Sequence, residues 1–214
     1  MLRKAYSNPI VFSLLPALSI IPVLIGYSKG FHLGGLKTII NFFSSSLSPS
    51  LDPLVIKASF EGIQSTICIA FISWFLSTFV GIFLGVLSSN IFWESINKPK
   101  LYSTSIKAIL ALPRSIHEII WGLLLLQLYG ISPWVAILAI VIPYASITAR
   151  VIANQLDSLD KSSFIAIKLS SKVIPAFITA LGPKIMPILI SYGGYRLECA
   201  LRSATLLGVF GLGG

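Results

Sequence analysis

Long apolar runs separated by short polar segments dominate the pattern along this chain. Residues 63–87 contain no ionisable group other than Cys68, and residues 10–27 contain no charge, although Pro16 and Pro22 interrupt them. About 20 apolar residues in a helix are needed to cross about 30 Å of hydrocarbon. Each of these two runs therefore predicts a transmembrane helix, the first of them retained rather than cleaved.

The second half of the chain predicts three more spans. No charged residue lies between Glu118 and Arg150, but Gly130 and Pro133 fall close together inside that stretch and break a helix. Residues 106–129 and 133–152 are therefore predicted as two spans joined by a tight hairpin. A fifth span is predicted at residues 185–204. The expected fold is an all-α, polytopic transmembrane bundle of about five helices.

Composition and charge support this fold and orient it. The chain is 55% apolar and 11% charged, with a mean hydropathy of +0.90, so water cannot be its main solvent. Most of its lysines and arginines fall in segments that share one side if the amino terminus is cytoplasmic. The chain then divides into residues 1–62, a helix with an outer loop from residue 28, and a core at residues 63–214.

The predicted cytoplasmic loop at residues 153–183 mixes lysines with apolar residues. Ile165, Leu169 and Val173 recur every four residues in a stretch that also holds Lys161, Lys168 and Lys172. That spacing gives a helix one apolar face, which could enter the groove of a partner protein. A helix lying on the lipid surface would have the same pattern, so both interpretations stay open.

Two segments carry a resemblance to a known family. Residues 112–122 read Leu-Pro-Arg-Ser-Ile-His-Glu-Ile-Ile-Trp-Gly, and residues 195–208 read Tyr-Arg-Leu-Glu-Cys-Ala-Leu-Arg-Ser-Ala-Thr-Leu-Leu-Gly. Both resemble signatures of the inner-membrane permeases of bacterial ATP-binding-cassette (ABC) importers, in the phosphonate and phosphite branch. The resemblance covers about residue 63 to the end. It implies a type I importer permease fold, and a further helix beyond Gly214 that is expected to be missing here.

The resemblance also implies a loop that couples the permease to its ATPase. The family's Glu-Ala-Ala, Gly and Ile-x-Leu-Pro frame keeps its spacing but only two of its residue types, Ala166 and Pro183. Phe164 stands where the family has glutamate, and Ser170 stands where it has glycine. Serine adopts the backbone conformation of that turn less readily than glycine, so the coupling helix is expected to depart from the family pattern. The coupling positions are Phe164, Ile165, Ala166, Ser170, Gly182 and Pro183.

Charged residues within the predicted spans are the candidate site, because a charge in the bilayer needs a partner or water. Arg114 and Glu118 are four residues apart, as are Glu198 and Arg202, so each pair could meet on one helix face. The pairs could serve only to neutralise charge and orient helices. They could also form an anion path, in which Arg196 or Arg202 faces the substrate. The candidate path residues are Arg196, Glu198, Arg202, Ser203 and Thr205.

Together these features imply a transport subunit rather than an enzyme. The acids form no catalytic set, and the glycine-rich end lacks the Gly-Lys-Ser/Thr of a phosphate-binding loop. The resemblance implies separate ABC ATPase subunits, a periplasmic solute-binding protein and a homodimer in the lipid of the bacterial inner membrane, without nucleic acid, metal or cofactor. Gly81 and Gly85 suggest a helix-packing face, possible at a dimer seam. The expected cargo is phosphonate, phosphite or a similar small anion. The alternatives are another solute such as methionine, or a truncated, non-transporting scaffold.

Overall fold

The computed structural model describes residues 33–159 and 173–212, together with residues 18, 20–22, 26, 162, 164 and 165. Eight α-helices lie within residues 33–159 and 173–212, and no described residue is in a strand. The predicted all-α fold is therefore confirmed. The predicted first span, residues 10–27, falls almost wholly outside the described residues and stays a prediction.

The predicted outer loop at residues 28–62 is wrong for most of its described length. Helix α1 is Leu33–Ser46, within a compact unit that comprises residues 1–53. After Gly35 this segment has no glycine or proline until Pro49, so nothing local interrupts a helix. The second unit comprises residues 54–214 and holds the other seven helices, apart from the first residue of α2.

Helix α2, Pro53–Ser88, contains the clearest predicted span and extends beyond it. At 1.5 Å per residue its 36 residues reach about 54 Å, well beyond the roughly 30 Å of hydrocarbon. It begins at residue 53 rather than 63 because Pro53 suits the first turn of a helix, where its missing N–H is not needed. The extra turns carry an exposed ion pair, with Lys57 Nζ 4.0 Å from Glu61 Oε1.

A stripe of small residues lets α2 lie close to another helix of the same chain. A Cβ atom added to Gly81 would be 2.6 Å from Thr148 Cβ, and one added to Gly85 would be 2.7 Å from Ile152 Cβ. Both neighbours belong to helix α7, Pro133–Ser158. The predicted packing face is confirmed, but it packs within the chain rather than at a dimer seam. The buried small residues of α2 are Ala70, Ser73, Ser77, Gly81, Gly85 and Ser88.

The predicted span at residues 106–129 is not one continuous helix, because the chain bends there by 83°. After the short helix α3, Asn90–Ser95, come α4, Leu101–Ile109, and α5, Ala111–Ser115; α6 is Glu118–Tyr129. Ile116 and His117 between α5 and α6 are extended, with ψ of 129° and 146°. His117 Nδ1 accepts the Ile119 N–H and so starts a new helix in place of the preceding turn.

The predicted hairpin between α6 and α7 is confirmed. Gly130 follows α6 with φ of 72° and ψ of −170°, a conformation that favours glycine, and its N–H donates to Leu126 O. Pro133 then opens α7, which runs six residues past the predicted 152 to Ser158. Apolar residues of α2, α6, α7 and α8 meet in one core, including Ile69, Leu125, Ile140 and Leu207.

Helix α8, Val173–Val209, has 37 residues and includes the predicted fifth span. Trp74 on α2 fastens it to the bundle by donating Nε1–H to Gly193 O at 2.8 Å. Among the described residues, α2 and α7 are each long and apolar enough to cross a membrane, and the bent pair of α4–α5 with α6 would be a third crossing if it is one span. The membrane crossing of α8 stays a prediction.

The predicted coupling loop at residues 153–183 is shorter than expected. Helix α7 continues to Ser158 and α8 begins at Val173, so residues 159–172 lie between the two helices. Gly182 and Pro183 therefore lie inside α8, and the helix continues past the proline. Ala166 and Ser170 lie outside the described residues.

Candidate functional site

Side chains from three helices form a polar cluster inside the bundle. Ser203 Oγ on α8 donates to Glu118 Oε1 at 2.6 Å, and Glu118 is the first residue of α6. The Tyr144 hydroxyl on α7 lies 2.8 Å from Ser203 Oγ. Because the single Ser203 proton goes to the carboxylate, Tyr144 is the donor to Ser203. We call Glu118, Tyr144, Tyr192, Arg196 and Ser203 the central polar cluster.

The positive member of this cluster is held by aromatic rings. Arg196 is only 8% exposed, and its Cζ lies 4.7 Å from the centre of the Tyr144 ring and 5.2 Å from that of Tyr192. Its Nε donates to the Tyr192 hydroxyl at 2.8 Å. Within the described residues Arg196 has no carboxylate within 4.0 Å, so cation–π contacts take the place of an ion pair.

The predicted ion pair between Arg114 and Glu118 does not form. The prediction assumed one continuous helix, and the break at Ile116–His117 places the two residues on separate helices. Glu118 instead contacts Ser203 and Tyr144. Its Oε2 also lies 3.3 Å from His117 Nδ1, but that nitrogen accepts the Ile119 N–H and does not donate to the carboxylate. Its position in the first turn of α6 also places its negative charge near the positive end of the helix dipole.

The second predicted ion pair does form, on the opposite face of α8 from the central polar cluster. Arg202 Nη2 is 3.0 Å from Glu198 Oε1, and the two side chains are 70% and 68% exposed. Ser191, Tyr195 and Thr205 are exposed on the same face. The spacing of four and three residues aligns all five along the helix. We call Ser191, Tyr195, Glu198, Arg202 and Thr205 the outer polar stripe.

The predicted path residues therefore divide between two faces of one helix. Arg196 and Ser203 are buried in the central polar cluster, whereas Glu198, Arg202 and Thr205 are exposed on the outer polar stripe. They cannot line a single site within one copy of the chain. Thr205 also borders an open groove of about 550 Å³ between α8 and the first half of α2.

The described residues of the predicted coupling segment have different surroundings. Phe164 is only 4% exposed and packs with Ile91, Leu156 and Leu181, whereas Ile165 is 56% exposed. Gly182 borders an apolar cavity of about 420 Å³ formed by side chains of α2, α3, α7 and α8. The Phe164 side chain is thus packed into the bundle.

Sequence reasoning missed two polar groups that organise this bundle. Tyr144 stands in an apolar helix, and only its hydroxyl hinted at a buried polar contact. Asp157 lies one residue before the end of α7, and its carboxylate accepts bonds from the Asn90 backbone N–H at 2.7 Å and from Lys107 Nζ at 3.0 Å. The described residues contain no group of three His, Cys, Asp or Glu side chains suited to a metal.

The backbone arrangement matches a solved transport protein. It superimposes on a chain of the inward-facing MetNI methionine ABC transporter with a TM-score of 0.67, covering 77% of this chain and 79% of that one at 21% identity. The chain has the permease fold of an ABC importer. At this identity the match establishes the fold of the chain alone.

Curated relatives of this chain are named as transport proteins rather than enzymes. It is 29% identical over 112 residues to HtxE of Stutzerimonas stutzeri, and 24% identical over 181 residues to HtxC of the same organism. Both are named as phosphite transport system permease proteins. The predicted resemblance to the phosphonate and phosphite branch is confirmed by these matches, as is the predicted inner-membrane location together with the long apolar helices.

The chain spans only part of the length of these relatives. The matched regions are 43% of the length of HtxE and 62% of that of HtxC. No protein-family model matches the chain.

Proposed function

We propose that this chain is the membrane-embedded permease subunit of an ATP-driven importer for phosphite, phosphonate or a similar small phosphorus oxyanion. A periplasmic binding protein would deliver the anion, and separate ABC ATPase subunits would supply the energy. The permease fold and the phosphite permease relatives support this proposal. The absence of a Gly-Lys-Ser/Thr phosphate-binding loop from the sequence is in keeping with ATP hydrolysis by another chain.

The single observation that carries the proposal is the exposed ion pair on the outer polar stripe. A charged side chain at the bilayer centre costs about 2.5–3.5 kcal/mol on insertion scales, so Glu198 and Arg202 are poorly suited to facing lipid. A water-filled path would hydrate both side chains. We therefore assign this face to the translocation path rather than to the lipid.

Two copies of the chain would enclose that path. One copy leaves the outer polar stripe open on its surface, and a second copy placed against the same face would close it off from lipid. Arg202 then offers a planar fork of donors to a passing oxyanion. The Thr205 hydroxyl, one turn further along, donates to Leu201 O and Arg202 O and adds only polarity to the path. In the same scheme the buried Arg196 holds helices together and does not touch the substrate.

The ATPase would dock on residues 159–172 and their flanking helix ends. Phe164, packed against Ile91 and Leu156, anchors this segment to the bundle, while Ile165 is exposed and available to a partner. Through these contacts a displacement of the segment would move α3 and α7. The proposal keeps the predicted role of Phe164 and Ile165 and leaves Gly182 and Pro183 as helix residues.

Uptake by the complete complex tests the proposal. The chain is expressed with its neighbouring ATPase and binding-protein genes, and uptake of labelled phosphite, methylphosphonate and methionine is measured. We expect Arg202→Gln to reduce oxyanion uptake at least about tenfold, the effect of roughly 1.4 kcal/mol. Lys57→Gln, in an exposed ion pair with the same four-residue spacing, is the matched control and should leave uptake unchanged.

Other outcomes would favour the alternatives. Uptake of methionine without the oxyanions would identify a permease for another small solute. Failure to transport any substrate, while the chain still assembles with its partners, would favour a non-transporting scaffold. Equal oxyanion uptake by the wild type and Arg202→Gln would contradict the assignment of the outer polar stripe to the path.

A further inference from the structure

Three basic side chains from three helices converge on one small cavity away from both the central polar cluster and the outer polar stripe. Lys107 comes from α4, Arg114 from α5 and Arg150 from α7. The break between α5 and α6 frees Arg114 from Glu118. We call Lys107, Arg114 and Arg150 the basic triad.

The charge of this triad is only partly neutralised. Lys107 Nζ is 3.0 Å from Asp157 Oδ2, and both side chains are 20% exposed. Among the residues that the structure describes, no carboxylate lies within 4.0 Å of the Arg114 or Arg150 guanidinium. Three cations and one carboxylate leave an excess of about two positive charges, which attracts an anion in this partly enclosed setting.

The available space favours a ligand that inserts one oxygen atom. The cavity is about 10 Å³, the volume that a single water-sized group needs. Arg150 is exposed, so the rest of a ligand whose oxygen enters the cavity would lie outside it, in solvent or among lipid headgroups. The hydroxyls of Ser88 and Ser146 in its wall already donate to Leu84 O and Ile142 O. The basic triad therefore supplies the donors for any bound anion.

The geometry of these donors points to a class of ligand. Guanidinium groups bind phosphate oxygens through paired N–H donors, and a lysine adds a compact charge. Donors that approach from three helices suit oxygens arranged tetrahedrally better than the two coplanar oxygens of a carboxylate. We propose that the basic triad binds a tetrahedral phosphorus oxyanion, either a free inorganic anion or the headgroup of an anionic phospholipid. This site goes beyond the proposed function, because binding here needs neither the ATPase nor the binding protein.

Direct binding to the purified full-length chain tests the site. The chain is placed in nanodiscs of neutral phosphatidylcholine, and binding of labelled inorganic phosphate is measured by equilibrium dialysis. In a second arm, native mass spectrometry counts the phosphatidylglycerol molecules that the chain retains from mixed bilayers. The variants are Arg114→Gln/Arg150→Gln and the charge-preserving Arg114→Lys/Arg150→Lys. Lys98→Gln, an exposed cation outside the cavity, is the control.

We expect the double glutamine variant to bind one of the two probes at least about tenfold more weakly than the wild type, since it lacks two charge-assisted contacts. The double lysine variant should keep part of the binding, and Lys98→Gln all of it. Loss of phosphate binding would identify the free anion as the ligand. Loss of phosphatidylglycerol retention alone would identify the lipid headgroup.

A measurement on the wild type keeps the test decisive if the glutamine variant does not fold. Phenylglyoxal modifies accessible arginines, and mass spectrometry reports its extent at each one. The probe that binds should protect Arg114 and Arg150, and should protect them equally in an Arg202→Gln chain. The proposal is overturned if neither probe binds the wild type, if binding is the same in the double glutamine variant, or if neither arginine is protected.

Discussion

Ser203 Oγ donates to Glu118 Oε1 at 2.6 Å, joining two residues that lie 85 positions apart in the sequence. This bond links the start of α6 to α8 inside the bundle, and Tyr144 of α7 completes the connection by donating to Ser203. A buried carboxylate that loses a hydrogen-bond donor retains its desolvation cost without compensation. The central polar cluster therefore stabilises the packing of α6, α7 and α8.

Removing the Ser203 hydroxyl tests this role. Ser203→Ala leaves Glu118 without its nearest donor, and we expect the free energy of unfolding to fall by about 1–3 kcal/mol. Thermal unfolding of the detergent-purified chain measures the loss. Thr179→Ala is the control on the same helix, because the exposed Thr179 hydroxyl bonds to backbone carbonyls of its own helix. Equal stability of the two variants would contradict a stabilising role for the Ser203–Glu118 hydrogen bond.

Gly81 is the tightest point of the α2–α7 contact. Gly81→Ala would place a methyl group 2.6 Å from Thr148 Cβ, and we expect a loss of about 1–3 kcal/mol from overpacking. Gly194→Ala is the matched control in α8, where an added Cβ meets no atom within 4 Å and alanine improves helix propensity. Thermal unfolding should rank the variants in that order. A Gly81→Ala chain as stable as Gly194→Ala would mean that the two helices lie further apart.

Asp157 joins the end of α7 to α3 and α4. Asp157→Asn removes the charge that binds Lys107 and weakens the cap on α3, so we expect destabilisation of about 1–3 kcal/mol. Glu61→Gln, in a pair whose side chains are 76% and 67% exposed, should change stability by less than about 1 kcal/mol. Chemical or thermal unfolding of both variants makes the comparison. Similar losses would show that the Asp157 contacts are no stronger than a surface pair.

The apolar pattern predicted the long helices well, because a continuous run in α2 or α7 leaves few alternatives in a membrane. The hairpin was equally predictable from the sequence, since Gly130 and Pro133 interrupt a helix through local backbone effects. The break at Ile116–His117 was missed because neither residue is a helix breaker. It depends on the His117 side chain accepting the Ile119 N–H, a contact that composition does not reveal.

The candidate site was predicted in its residue types but not in its arrangement. The spacing of Glu198 and Arg202 sufficed for their ion pair, because four residues along one helix determine the distance. Arg114 and Glu118 have the same spacing but lie on different helices. The partners of Glu118 and Arg196 come from α7 and α8, and spacing along one helix cannot identify contacts made between helices.

The accessibility of position 202 to water tests the central claim most directly. Arg202→Cys and Phe83→Cys are made in a chain carrying Cys68→Ala and Cys199→Ala, and the complete complex in membranes is treated with a membrane-impermeant methanethiosulfonate. Phe83 is 62% exposed in the apolar run of α2 and serves as the control that we expect to face lipid. We expect rapid labelling at 202, slowed by the transported oxyanion, and little labelling at 83. Labelling at 202 as slow as at 83 would contradict an aqueous path along the outer polar stripe.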